Sequence, residues 1–308
     1  RVVINATGAF TDDVRRMADP GVTKMIAPSQ GVHLVFERSV MPGDSAIMVP
    51  HTTDGRVMFA IPWHKHVLVG TTDTPIENPS LEPVAFEQEI NFILETAGKY
   101  LSHSPSKKDV LSVFAGIRPL VKMGDKANTA ALSRDHTIHI DQSGLLSIAG
   151  GKWTTYRKMA EDCIDHATIL AKLDEKPCVT KNLKIHGYLS RDRADDPLSI
   201  YGSDAHRIKD LILEDATLGQ RLHPALPYCR AEVVWAVREE MACSVEDFLS
   251  RRVRALLLNS HAAAEMAPQV AEIMAIELKK DKSWQDEQIA GFRLLAQQYS
   301  VVSNLHAR

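Results

Sequence analysis

The sequence predicts an α+β fold followed by an all-α C-terminal region. Between residues 31 and 71, short apolar runs alternate with turn residues, and strand-like runs return between 109 and 149. After residue 200 the apolar residues recur instead with helical spacing. A chain of 308 residues is long enough for about two domains.

The first predicted element is a strand at residues 1–4, which runs into Asn5-Ala6-Thr7-Gly8. We expect Thr11 to cap a helix with Asp12 and Asp13 in its first turn, where the helix dipole favours carboxylates. The strands GVHLVF, AIMVP, RVMFAI and HVLVGT follow, with Asp54-Gly55 as a hairpin turn. A helix is then predicted from Pro83. Its apolar face is Phe86, Ile90, Leu94, Ala97 and Leu101.

Strands return at DVLSVFAGI, HTIHI and LLSIA, with a turn at 141–144 between the last two. The next stretch, AGGKWTTYRKMAED, passes from strand to helix, and its helix is predicted to bury one apolar stripe. The stripe consists of Tyr156, Met159, Ala160, Cys163, Ile164, Ala167 and Leu170. Residues 174–199 are polar and weakly periodic, as in a linker.

The C-terminal region has two helix-start signals. Ser244 and Asp247 have the spacing of a capping box that opens a helix toward Met266. Pro268 suits the first turn of the next helix.

Composition limits the class of protein. The net charge of −3 argues against a general nucleic-acid-binding protein, which would carry a basic stripe. No run reaches the roughly 18 apolar residues of a transmembrane helix. The four cysteines are widely spaced and are expected to be free thiols.

The Gly-Gly-Lys at residues 150–152 is not a P-loop, because Trp153 follows the lysine and the upstream glycine spacing is absent. No G-x-G-x-x-G occurs anywhere in the 308 residues. Two glycines before a helix N-terminus suit an anionic or planar ligand that approaches the backbone. The alternative is an ordinary glycine turn in which Thr154 or Thr155 caps the helix.

GGKWTTYRKMAED resembles the C-terminal flavin motif of FAD-dependent glycerol-3-phosphate dehydrogenases. Further motifs of that family follow in the same order along nearly the whole chain, including its helical end. They are INATGAFTD, SQGVHLV, IPW with GTTDTP, AGIRPLV and SRDH. The chain looks more similar to the type found in mitochondria and some bacteria than to the shorter enteric type.

The resemblance implies a partial FAD-binding α/β domain and an antiparallel-sheet substrate-binding domain, followed by a helical cap domain. It assigns residues 1–19 and 145–173 to the FAD-binding domain and 20–144 to the substrate-binding domain. Residues 174–199 are then the linker, and 200–308 are the cap. Because the glycine-rich fingerprint is absent, we expect that part of the FAD domain precedes Arg1. By itself, this chain is then expected to bind FAD poorly and to be inactive.

The resemblance also assigns roles to individual residues. Substrate phosphate or hydroxyls would be bound by Arg118, Arg134 and Lys152, and arginine suits phosphate because its planar fork donates paired hydrogen bonds. His33 would face the flavin and accept the hydroxyl proton, or serve only as a hydrogen-bonding partner. The residues implied to contact FAD are Thr7, Gly8, Gly150, Gly151, Lys152, Trp153, Thr154 and Thr155.

No metal site is predicted, since the pairs His64/His66 and His136/His139 lack supporting carboxylates. Thr72 and Asp73 could line the substrate site, or Asp73 could simply stabilise a turn. Both interpretations stay open from the sequence.

The function implied by the resemblance is FAD-dependent oxidation of sn-glycerol 3-phosphate to dihydroxyacetone phosphate, with electrons passed to quinone. The expected location is peripheral, on the cytoplasmic face of a bacterial inner membrane, with the mitochondrial inner membrane as the alternative. A homodimer is one open alternative for the oligomeric state. Three other functions stay open: a glycerol-3-phosphate oxidase that uses oxygen, a flavin-dependent amine oxidase, and a non-enzymatic helical interaction module on an inactive remnant.

Overall fold

The computed structural model of the chain describes residues 1–50, 52, 55–101, 104–122, 135–190 and 196–301. They form two compact units. Unit 1 consists of Arg1–Val32, Thr72–Pro83 and Ala115–Leu183. Unit 2 consists of His33–Thr71, Val84–Phe114 and the described residues from Lys184 onward.

Unit 1 is built on a three-stranded sheet. Strand β1 (Ile4–Asn5) pairs in parallel with β9 (Leu146–Gly150), which pairs antiparallel with β8 (His136–Ile140). The predicted turn between β8 and β9 is confirmed, since Gly144 N donates to Asp141 O and Gly144 has a φ of +82°. Strand β8 lies before residue 145 and β9 after it, so the sheet contains residues from both sides of that predicted domain boundary. The sequence-based domain boundaries stay a prediction.

Two helices belong to unit 1, α1 (Thr11–Ala18) and α3 (Tyr156–Leu170). Helix α1 carries Asp12 and Asp13 in its first turn as predicted, although Thr11 is its first residue and not its cap. The buried part of the apolar stripe predicted for α3 is smaller than expected. Only Cys163 and Ala167 are buried on that helix, and they pack against Leu146 and Ile148 of the sheet. Periodicity marked the apolar face correctly, but a small sheet covers only its centre.

A buried ion cluster holds unit 1 together. The Arg15 guanidinium donates to Asp141 at 2.8 and 3.1 Å, to Asp12 at 3.1 Å, and to the Thr23 carbonyl at 2.9 Å. Asp12 also accepts backbone N–H groups from Met25 and Ile26. The hydrogen bonds from Arg15 lower the pKa of Asp141. The cluster therefore connects α1, the turn after β8, and the chain entering the next strand.

That strand, β2 (Ile26–Glu37), runs from unit 1 into unit 2, and it pairs with β7 (Val110–Val121), which also runs through both units. Within unit 1, Ser29 and Gln30 of β2 pair antiparallel with β6 (Thr74–Pro75). Within unit 2, the order is β3 (Ile47–Val49), β4 (Met58–Trp63), β5 (His66–Gly70), then β2, and neighbouring strands are antiparallel. The antiparallel sheet predicted from the short apolar runs is confirmed.

The α-helices in the described part of unit 2 are α2 and α4 to α8. Their bounds are α2 (Glu87–Ala97), α4 (Ala205–Glu214), α5 (Arg230–Glu239), α6 (Ala255–Leu258), α7 (Ser260–Leu278) and α8 (Lys282–Gln298). Most of these helices surround one apolar core that contains Phe248, Leu256 and Met266. Strand β7 is connected to them, because Ser112 Oγ donates to Leu256 O at 2.8 Å and Val113 N donates to Tyr299 O at 2.9 Å. The predicted α+β fold with a helical C-terminal part is confirmed.

Several helix boundaries differ from the prediction. Helix α2 begins at Glu87 and not at Pro83. The capping box forms, since Asp247 N donates to Ser244 Oγ at 3.1 Å and Ser244 N donates to Asp247 Oδ2 at 3.0 Å. It opens only a six-residue π-helical segment, because Val253 is extended. Pro268 lies inside α7 and not in a first turn. Close packing of Met266, Ala267 and Val270 keeps α7 continuous there.

We expect Arg15→Met to lower the free energy of unfolding of the full-length protein by about 3–5 kcal/mol, because two buried carboxylates lose their cation. The control is Arg16→Met on the same helix. Arg16 pairs with Asp13 in solvent, so its loss should change stability by less than about 0.5 kcal/mol. Denaturant melts of the two variants make the comparison, and equal destabilisation would show that the Arg15 cluster has no special role.

Candidate functional site

The loop that follows β9 contains the Gly-Gly-Lys of the predicted flavin motif. Gly150 and Gly151 have φ values of +74° and +77°, and a short 3-10 turn at Trp153–Thr155 then leads into α3. A Cβ on Gly150 would lie 2.8 Å from the Asp135 carbonyl oxygen, and one on Gly151 would lie 2.5 Å from Met159 Sδ. The backbone contact within the chain therefore already requires Gly150, independently of any ligand, whereas the neighbour of Gly151 is the flexible end of the Met159 side chain.

The same loop presents polar groups to solvent. Lys152, Thr154 and Thr155 are exposed, and Thr155 Oγ1 donates to the Lys152 carbonyl at 2.9 Å. Trp153 is 85% exposed and its ring stacks on Tyr156 at 5.4 Å between centroids. The first N–H groups of a helical segment lack intrahelical partners and attract negative charge, and the Lys152 ammonium adds a full positive charge beside them. The loop is thus chemically suited to an anion or a planar ring.

Thr7 and Gly8 lie at the corresponding end of β1. The Asn5 side chain positions this turn: its Nδ2 donates to Thr11 O at 3.0 Å and to Ser147 Oγ at 3.2 Å, and its Oδ1 accepts from Thr7 Oγ1 at 2.7 Å. Because β1 and β9 are parallel neighbours, the loops after them leave the same edge of the sheet. Ligands of α/β folds bind outside the carboxyl ends of parallel strands. The structure therefore brings the two predicted cofactor segments together.

Arg118 lies on β7, in the part that belongs to unit 1. Its Nη1 is 3.5 Å from Asp73 Oδ1, and its side chain is 33% exposed against 16% for Asp73. Ser29 on β2 donates its hydroxyl to the same Asp73 oxygen. Sequence reasoning left Asp73 undecided between a site role and a turn role, and no local signal could have indicated that its partner is Arg118. Arg134, the third predicted cation, lies outside the described residues.

His33 lies on β2, in the part that belongs to unit 2, opposite Gly70 of β5. Its imidazole is half-buried and stacks on the Phe114 ring at 5.5 Å with an interplanar angle of 20°. The residues that follow it on the strand, Leu34, Val35 and Phe36, are all fully buried. Because both faces of this strand are covered, the half-exposed imidazole is an exception among its neighbours.

The histidine pairs have partners within the chain. His136 Nε2 lies 3.0 Å from Asp162 Oδ2, and His139 Nε2 lies 3.1 Å from Asp141 Oδ1. His64 lies 3.3 Å from an Arg254 nitrogen, and its pKa is lowered by burial and by that arginine. The four cysteines are free thiols, as predicted.

Comparison with known proteins identifies the family. Residues 1–157 match the family model described as FAD dependent oxidoreductase. The chain belongs to the FAD-dependent oxidoreductase family. Residues 143–288 match a second model, the C-terminal domain of alpha-glycerophosphate oxidase.

Relatives within this family are named glycerol-3-phosphate dehydrogenases. A probable mitochondrial one from Caenorhabditis elegans is 39% identical over 302 residues, which is 90% of this chain and 42% of that protein. The mitochondrial one from Homo sapiens is 38% identical over 94% of this chain and 42% of that protein. The structure of the Bacillus halodurans enzyme complexed with FAD has a TM-score of 0.80 at 27% identity, covering 97% of this chain and 62% of that one. The chain thus spans less than half the length of these curated relatives.

FAD is the cofactor of this family, and the residues present fit its flavin end. Thr7 and Gly8 on one loop and Gly150 to Thr155 on the other leave one sheet edge, with exposed threonine hydroxyls and an exposed lysine. These are the groups that an anionic planar ring requires. The contact of each residue with FAD stays a prediction.

We expect Gly150→Ala to cost about 1–3 kcal/mol more unfolding free energy than Gly144→Ala. Both substitutions put alanine at a positive φ, so both incur the same backbone strain. Only Gly150 meets a backbone oxygen at 2.8 Å, whereas nothing lies within 4 Å of a Cβ on Gly144. Thermal melts of both variants provide the test, and equal losses would contradict the close contact with Asp135.

Proposed function

We propose that the protein containing this chain oxidises sn-glycerol 3-phosphate to dihydroxyacetone phosphate. The observation that carries this proposal is the 38–39% identity to named glycerol-3-phosphate dehydrogenases over at least 90% of the chain. The geometry supports it independently, since the two loops at the sheet edge offer anion-binding groups and the Arg118 side chain is partly exposed.

Within this proposal, the residues of the chain have distinct tasks. Bound FAD supplies the two-electron acceptor. Arg118, Arg134 and Lys152 bind the substrate phosphate and hydroxyls, since a small dianion needs several cations around it. His33 accepts the proton of the hydroxyl that becomes the carbonyl, and its stacking on Phe114 limits rotation of the imidazole. The N–H groups of Trp153 and Thr154, at the start of the turn before α3, stabilise negative charge on the cofactor.

We further propose quinone as the final acceptor and peripheral attachment to a membrane. None of the helices in the described part of the chain has the length and apolarity to cross a bilayer. The curated relatives are mitochondrial by name, and the proposed compartment is either a bacterial inner membrane or the mitochondrial one.

A second candidate is the oxidase, which uses oxygen as acceptor. It is favoured by the match of residues 143–288 to the C-terminal domain of alpha-glycerophosphate oxidase. Oxygen uptake and peroxide yield of the FAD-loaded full-length protein, compared with reduction of a quinone analogue, separate the two acceptors.

Turnover of glycine or sarcosine in place of glycerol 3-phosphate would instead indicate an amine oxidase. Absence of any turnover despite bound flavin would support the non-enzymatic alternative.

We expect Arg118→Ala and Lys152→Ala each to lower kcat/KM for glycerol 3-phosphate about ten- to a hundredfold. Each change removes a charge-assisted contact of roughly 1.5–3 kcal/mol. Lys158→Ala is the matched control, because its ammonium pairs with Asp162 at 2.7 Å on the surface of α3. Steady-state kinetics provide the measurement, and unchanged kinetics in both variants would disprove the phosphate-binding roles.

His33→Ala is expected to lower kcat by at least about a hundredfold while FAD stays bound, since general base catalysis contributes that much. His33→Asn distinguishes the two roles that the sequence left open. If asparagine restores most of the rate, His33 acts as a hydrogen-bonding partner and not as the base. Turnover of His33→Ala within twofold of the wild type would mean that His33 is structural.

A further inference from the structure

The guanidinium of Arg118 lies in a set of contacts built within unit 1. Asp73 Oδ1 is 3.5 Å from Arg118 Nη1 and also accepts the Ser29 hydroxyl. Ser29 is fully buried and the Asp73 side chain is 16% exposed, whereas one third of the Arg118 side chain reaches solvent. The carboxylate thus contacts the arginine from the protein side, and the exposed part of the arginine lies away from the interior.

Gly31 contributes space to the same arrangement. A Cβ at this position would lie 2.3 Å from Arg118 Nη2, 2.5 Å from Nη1 and 2.6 Å from Cζ. Real Cβ atoms do not approach other atoms so closely, so any larger residue would displace the guanidinium. The φ of Gly31 lies outside the left-handed region, so its need for a small side chain arises from Arg118 and not from the backbone.

We infer that Asp73 is the positioning residue for Arg118. Ser29 holds the Asp73 carboxylate, and the missing side chain of Gly31 leaves room for the Arg118 guanidinium. This inference rests on the proposed function, in which Arg118 binds substrate. Arginine has four rotatable side-chain bonds, so an unheld guanidinium loses conformational freedom each time it binds a ligand. A carboxylate that holds one nitrogen in advance removes part of that loss and aims the rest of the fork. Misplacement of a binding group by about 1 Å can reduce a rate a hundredfold.

The Asp73 carboxylate also sets the charge of the site. Its negative charge offsets the positive charge of Arg118, so this pair alone adds no net charge. A dianionic substrate therefore depends on the other cations for long-range attraction, and on Arg118 mainly for geometry. Loss of Asp73 should accordingly impair the fit of the substrate and not simply its electrostatic capture.

The test is a double-mutant cycle in the FAD-loaded full-length protein, with glycerol 3-phosphate and an artificial dye acceptor. Asp73→Asn keeps the shape and the oxygen that accepts from Ser29 but removes the charge. We expect it to lower kcat/KM about tenfold in the wild-type background. In the Arg118→Ala background it should change kcat/KM by less than twofold, because no guanidinium remains to position. A merely structural aspartate would cause the same loss in both backgrounds.

The Gly31→Ala variant tests the position of the Arg118 guanidinium independently of Asp73. It should lower kcat/KM about tenfold at unchanged flavin content, since the flexible end of Arg118 can move aside without unfolding the sheet. Asp19→Asn, an exposed carboxylate at the end of α1, and Gly291→Ala, in open space on α8, are the matched controls.

The outcomes separate the two proposals. If the wild-type holoprotein does not oxidise glycerol 3-phosphate, the proposed function fails, and the positioning role fails with it. If the wild type is active but Asp73→Asn is equally harmful with and without Arg118, or Gly31→Ala is silent, only the positioning role is overturned. A non-additive cycle together with an impaired Gly31→Ala variant supports it.

Discussion

The buried cluster of Arg15 with Asp12 and Asp141 is the constraint on which unit 1 depends. Its members are 4–9% exposed, and a buried charge without its partner would cost several kcal/mol. Satisfying all of them requires helix α1, the turn after β8 and the entry into β2 to meet at one point. That arrangement sets the β8–β9 hairpin beside β1, and the hairpin in turn carries the Gly150–Gly151 loop to the edge where Thr7 lies.

Unit 1 contains two arginine–carboxylate groups, which differ in how far their charged side chains are exposed to solvent. Around Arg15 the charges are enclosed and structural, and the hydrogen bonds from Arg15 lower the pKa of Asp141. Around Arg118 the carboxylate lies inward and the cation reaches solvent, which suits ligand binding. Unit 2 relies instead on an apolar core, where burial raises the pKa of Glu232 to about 7, although Tyr201 and the Cys229 N–H donate to its carboxyl group.

Local features were predictable because their causes are local. The turn at 141–144, strands β8 and β9, and the Ser244–Asp247 capping box each depend on residues that are at most 14 positions apart. The predictions that were wrong share the opposite cause. Helix α7 continues through Pro268 because neighbouring apolar residues of that helix are buried, and α3 buries only Cys163 and Ala167 because the sheet beneath it has three strands in the described residues. Tertiary packing decided the continuity of α7 and the burial of α3, and a short stretch of sequence does not show which residues will pack against it.

For the candidate site, the sequence alone determined the family, the cofactor and the residue types, because six ordered motifs carry that information. It could indicate that Arg118 and Lys152 are cations in those motifs, but not what surrounds them. Only the tertiary structure decided that Thr7 and the Gly150 loop leave one sheet edge, that Arg15 meets Asp141 across 126 residues, and that Asp73 lies against Arg118. The physical reason is that a charge's partner is chosen by chain topology, and residues distant in sequence become neighbours only when strands pair.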